Sequence, residues 1–174
     1  MRKLILFLLM ALATSIASFA MSAHGADNND AAATISDEKA LECCKWYVSA
    51  PPPATVAELK KRQEVAQIIV KYIADTDKFD LELTESVMKL IDLNNPETGV
   101  DLFSVYLAGE TVYCLENGLS KSDASSFASA MADVVHYYSQ MKNHDMKPLN
   151  KYLKMDRAEQ LKQFTKLYNQ NSSH

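Results

Sequence analysis

The stretch from Thr98 to Asn117, TGVDLFSVYLAGETVYCLEN, constrains this chain more than any other. Wound as a helix, it places Leu102, Phe103, Val105, Tyr106, Leu107, Val112, Tyr113, Cys114 and Leu115 on most of its sides. A helix that is apolar nearly all round has to be surrounded by other elements. Gly109 in its middle costs about 1 kcal/mol of helix propensity against Ala, so a close approach by another backbone is expected there. Asn117 and Gly118 form a C-terminal stop. Glu110 stands out, because a carboxylate in such a helix needs either a partner or a wet edge.

The segments available to surround it also read as helices. Ser36 caps DEKALECCKWYVS, which Pro51, Pro52 and Pro53 end because proline cannot continue the hydrogen-bond ladder. Thr55 and Glu58 form a capping box for a helix reaching Asp75, with Leu59, Ala66, Ile69, Val70 and Ile73 at helical spacing. A shorter helix is expected from about Thr84 to Leu93, with Val87, Leu90 and Ile91 inward. Another is expected from about Ser122 to Asn143, carrying Phe127, Met131, Val134, Tyr138 and Met141 on one stripe and Ala124, Ala128 and Ala132 on a second, small-residue stripe. A short helix at Pro148 and a last one behind Asp156 and Glu159 complete the order. No run alternates apolar and polar residues as a half-buried strand would. The expected fold is therefore all-α, a compact bundle of about seven helices in antiparallel succession. A short superhelix is the alternative, since YLAGETVYCLENG resembles a tetratricopeptide helix, although the next helix lacks matching small and aromatic positions.

The first twenty residues, MRKLILFLLMALATSIASFA, combine Arg2 and Lys3 with an apolar core and small residues at Ser18 and Ala20, the pattern of a secretory signal peptide. The expected organisation is a signal peptide at residues 1–20, a flexible leader at 21–35 rich in Ala, Asn and Asp, and one helical domain at 36–174. The protein is then exported, to the periplasm or the exterior, with no membrane span in the mature chain. The precursor carries 18 basic and 22 acidic residues, and loss of Arg2 and Lys3 makes it still more acidic. Its lysines and arginines, such as Lys60, Lys61 and Arg62, are mixed with acids and read as a solvated helix face. A nucleic-acid partner is not expected, because that contact needs a basic surface for phosphates.

No motif dictates a reaction. The turn DTDKFDLE groups Asp75, Asp77, Asp80 and Glu82, but an EF-hand counted from Asp75 needs a glycine where Asp80 stands and a glutamate where Ser86 stands. No His or Cys pair has zinc spacing, so neither metal nor cofactor is expected. His136, flanked by Tyr137 and Tyr138, is the one histidine inside a strong helix. Glu110, His136, Tyr106, Tyr113 and Tyr138 are the residues of a ligand pocket, should the fourth and fifth helices form one. Three cysteines in an exported chain allow one bridge. Cys44 falls on the inward face with Leu41 and Val48, and Cys43 on its flank, so a Cys44–Cys114 disulfide is the economical expectation, with Cys43 as the free thiol.

These features make a non-enzymatic module that binds a protein or peptide partner the leading expectation, an immunity or inhibitor protein being its sharper form. The Tyr-Leu-Ala-Gly step in VYLAGETVYC resembles a helix of small periplasmic immunity proteins, and four residues transfer no roles. The alternatives are a small-molecule binder or enzyme centred on Glu110 and His136, and an envelope chaperone with a large exposed apolar patch.

Overall fold

In the computed structural model, which describes residues 34–95 and 98–171, seven helices follow one another: α1 (Asp37–Ser49), α2 (Val56–Asp75), α3 (Glu85–Leu90), α4 (Gly99–Asn117), α5 (Ala124–Ser139), α6 (Lys147–Asn150) and α7 (Arg157–Asn171). A single 3-10 turn, Lys151–Lys154, links α6 to α7. The architecture is an all-α bundle with no strand among the described residues; the only β-type pairing is an isolated bridge between Asp80 and Lys121. The expected signal peptide and most of the expected leader, residues 1–33, and the last residues, 172–174, lie outside the described part.

Helix α4 is the central element. Eleven of its residues are buried, from Gly99 to Cys114, with α1 on one side and α5 on another. Gly109 shows why the bundle closes so tightly. A Cβ at that position would stand 3.0 Å from Ala130 Cα and 3.3 Å from Asp133 Oδ2 on α5, so the glycine permits the backbone contact that its helix-propensity cost foreshadows. The helix ends at Gly118, whose φ of 61° is left-handed and whose N–H donates to the Cys114 carbonyl. The small-residue stripe of α5 serves the same packing, with Ala128 and Ala132 fully buried.

Helix ends follow their sequence signals closely. Ser36 accepts from Lys39 N at 3.2 Å, and Thr55 and Glu58 complete their capping box. Two boundaries differ from expectation. Helix α3 stops at Leu90 because Ile91 is extended and Asp92 accepts from Asn94 N at 3.0 Å, a side-chain turn that replaces helical pairing. Helix α5 stops at Ser139 because the N–H of Gln140 bonds the Tyr137 carbonyl at 3.0 Å, tightening the last turn.

The cysteines require a correction. Cys43, Cys44 and Cys114 are all buried free thiols, so the expected Cys44–Cys114 disulfide is absent. The inward stripe of α1 is Ala40, Cys43, Cys44 and Tyr47, placing both cysteines in the interface, while Leu41 and Val48 are only half-buried. Cys44 faces the Thr111 hydroxyl and Cys114 that of Ser122. Burial pushes both thiols up to about 12, which keeps them protonated and unreactive.

Candidate functional site

Two clusters of buried polar groups are built on α4. The first gathers one residue from each of four helices: Tyr47 (α1), Arg62 (α2), Asp101 (α4) and Tyr137 (α5). Arg62 Nε donates to Asp101 Oδ1 at 3.1 Å, and its Nη1 donates to the Tyr47 carbonyl at 3.2 Å. The guanidinium lies between two rings, 3.8 Å from the Tyr47 centroid and 4.3 Å from the Tyr137 centroid. Both phenols donate to the same carboxylate, Tyr47 to Oδ1 at 3.3 Å and Tyr137 to Oδ2. The Arg62 side chain is 4% exposed and that of Asp101 23%, so the pair sits just inside the surface. Arg62 Nη2 has no hydrogen-bond partner. Burial, and then the Asp101 charge, push both phenols far above the usual tyrosine range, so they act as fixed donors.

Local sequence explains how the cluster forms. Arg62 occupies the apolar stripe of α2 together with Ala66 and Ile69, one and two turns along, so the helix cannot bury its face without burying the guanidinium. Flat and weakly hydrated, that group stacks on aromatic rings where a lysine ammonium would not. Beside it, Tyr47, Ala66, Ile69, Val70, Ser104 and Leu107 line a cavity of about 10 Å³, room for about one water molecule.

The second cluster surrounds Glu110. Its side chain is 1% exposed, and Tyr106 Oη, one turn earlier on α4, donates to Oε1 at 2.7 Å. Oε2 has no hydrogen-bond partner among the described residues. Two serine hydroxyls stand close by, but each already serves the backbone. Ser126 Oγ accepts from Asp123 N at 2.9 Å and donates to Asp123 O at 3.0 Å. Ser122 Oγ accepts from Glu82 N at 3.2 Å and faces Asp80 O at 3.5 Å. Burial raises the Glu110 carboxyl to about 7, against the lowering pull of Tyr106, Ser126 and Ser122.

The expected five-residue pocket is not assembled. Tyr106 and Glu110 are together, but His136 is exposed on the outer face of α5, where its Nε2 meets Gln140 Nε2 at 3.0 Å. Tyr138 is pinned elsewhere: its hydroxyl donates to Asn150 Oδ1 at 3.0 Å and accepts from Met146 N at 2.9 Å. Tyr113 is half-buried near the end of α4. A fully buried carboxyl and an exposed imidazole cannot share a substrate, so the geometry removes the basis for Glu110–His136 chemistry. No group of His, Cys, Asp or Glu side chains suited to a metal ion occurs among the described residues. No helix among them is long and apolar enough to cross a membrane.

The expectation that Arg62 lies on a solvated helix face is corrected, since it is 3% exposed, and no sequence motif singles out Tyr47 or Asp101. The usable signal was the register of Arg62 with Ala66 and Ile69, which marks an inward charge rather than a solvated one. Comparison with protein-family models, curated proteins and solved structures finds no match to this chain, so both clusters are read from their own chemistry.

Proposed function

We propose that this protein is an exported, non-enzymatic helical module that binds a protein or peptide partner, inhibition of that partner being the sharper form. One observation supports it most: the placement of exposed apolar side chains. Of the three large ones exposed among the described residues, Val56 (84%) and Leu59 (45%) stand one turn apart at the start of α2. They adjoin Pro51, Pro52 and Pro53, and the same corner carries half-buried Trp46, with Lys61 Nζ 4.7 Å from its ring centroid. Rigid prolines, an aromatic ring and exposed aliphatic side chains together suit recognition, because anchors that are already ordered lose little entropy on binding. Scattered single apolar residues would need no such reading.

The test places a photo-crosslinking side chain at position 56, and at position 170 as a control, in the producing organism. The expected result is one discrete adduct from position 56, absent at 170 and lost when Leu59→Asp is added. Identical adducts at both positions, or none at 56, overturn the proposal. Export has its own measurement: the recovered chain is expected to begin at Met21 in the extracytoplasmic fraction, and an unprocessed chain retained in the cytosol refutes it.

A further inference from the structure

We infer that Glu110 is a proton-controlled latch on the turn between α4 and α5. With the carboxyl protonated, the Ser122 and Ser126 hydroxyls stay on the backbone groups that hold the turn; once it is ionised, it draws them away and the turn opens.

The geometry carries this argument. A neutral carboxyl has one oxygen that accepts well and a hydroxyl that donates. A carboxylate has two accepting oxygens, and in the interior both need donors. Tyr106 satisfies Oε1, while Oε2 has nothing. The nearby donors are the two serine hydroxyls: the Ser126 proton is in use on Asp123 O at 3.0 Å, while Ser122 has only a long 3.5 Å contact to Asp80 O. Ser126 closes the capping box of α5 with Asp123, whose own carboxylate accepts from Ser125 N and Ser126 N, each at 2.8 Å. Ser122 belongs to the bridge in which Asp80 N donates to Ser120 O and Ser122 N donates to Asp80 O, each at 3.0 Å. Ionised Glu110 therefore gains donors by turning Ser122 off its long contact with Asp80 O and by drawing the Ser126 proton from Asp123 O at the start of α5.

Among the described residues the surroundings supply no unpaired cation. On α4 the neighbouring titratable groups are Tyr106 and Cys114, and at the α5 cap Asp123 adds a like charge. Tyr168 of α7 acts on Tyr106 and packs on Phe127 with ring centroids 5.5 Å apart. Cys44 of α1 is turned to Thr111. Lys121 is paired with Glu82 at 2.9 Å, and Arg157 with Asp133 at 2.8 Å. Cys114, raised to about 12, does not titrate near neutrality, which leaves Glu110 as the responding group.

The direction is fixed by linkage. The carboxyl is raised in the closed state from 4.5 to about 7, so the closed state holds its proton more tightly than the open one. The stabilisation is complete below the ordinary carboxyl range and is lost as pH rises through about 7. Between pH 5.5 and 8 the opening equilibrium should grow roughly 25-fold for a shift of that size.

Amide hydrogen exchange at Ser125 and Ser126, corrected for the intrinsic pH dependence of exchange, reads that opening in the intact chain. Protection is expected to fall roughly 25-fold over this range, and to stay flat in Glu110→Gln, which keeps an acceptor for Tyr106 but cannot ionise. A second readout is the alkylation rate of Cys114, mapped by peptide, whose wild-type to Glu110→Gln ratio should rise with pH. Constant corrected protection in the wild type, or the same decline in both proteins, overturns the inference. Should Glu110→Gln fail to fold, the wild-type exchange profile alone decides.

Discussion

Asp101 and Glu110 are carboxyl groups on the same buried helix, and the fold treats them in opposite ways. Asp101 faces a guanidinium and two phenols; Glu110 faces one phenol and two serines, of which Ser126 gives its proton to the backbone. A buried carboxylate is tolerable when opposite charge and donors converge on it, and the Arg62 cluster supplies both from four separate helices. Around Glu110 the described residues offer hydroxyls but no unpaired cation, so the favourable solution is to keep the proton. One helix thus holds a permanent electrostatic tie near its start and a pH-dependent one at its middle. The first locks α2, a helix that buries only Arg62, Ala66, Ile69 and Tyr72, to the remainder of the bundle. The second sits where α4 and α5 meet through Gly109.

Breaking the tie should have the largest effect. Arg62→Ala leaves Asp101 without its cation and removes the stacking between two rings, and is expected to destabilise by about 3–5 kcal/mol in urea unfolding. Arg62→Lys should recover only part of this, since an ammonium cannot fill the flat slot between Tyr47 and Tyr137. A loss below about 1 kcal/mol would mean that the cluster is an ordinary surface pair.

The Glu110 site should answer to pH instead of to truncation. With the carboxyl raised to about 7, the wild type is expected to lose about 2–3 kcal/mol of stability between pH 5 and 8.5, a loss that Glu110→Gln abolishes. Parallel pH profiles of stability for the two proteins would place the titration elsewhere. The contact beneath both clusters is tested by Gly109→Ala, whose Cβ would meet Ala130 Cα at 3.0 Å; overpacking there should cost about 1–3 kcal/mol despite the gain in helix propensity. The smallest expected effect belongs to Asp123→Ala, which removes the α5 cap and should cost about 1 kcal/mol, by thermal unfolding at pH 5. The latch adds a condition: the Asp123→Ala cost should be smaller at pH 8, where the turn is already loosened.

Much of the fold was legible in the chain because local signals and burial agreed. Pro51, Pro52 and Pro53, the Thr55 and Glu58 box, and Asn117 with Gly118 mark helix ends whose causes are local, and the structure keeps each of them. Where a side-chain turn at Asp92 or a tightened backbone turn at Gln140 replaces the helical ladder, the helix is a few residues shorter than its pattern predicts. The cysteines were misread for a different reason. Helical-wheel position says that Cys44 points inward, but whether it bonds Cys114 depends on how α1 lies along α4, and there Cys44 faces Thr111. The same holds for His136 and Glu110, which were grouped by their chemistry and separated by the rotation of α5 about its axis.

The sequence by itself determined that this chain is helical, where nearly every helix begins and ends, that the fourth helix is central and that Gly109 is a contact point. Period, propensity and capping are properties of short stretches, so a single chain displays them. Only the tertiary structure decided that Arg62 lies between two tyrosines, that Glu110 keeps an oxygen unpartnered among the described residues and that three thiols remain unbridged. Each of those outcomes depends on helix crossing geometry, which arises from how whole faces pack and is encoded in no local run of residues.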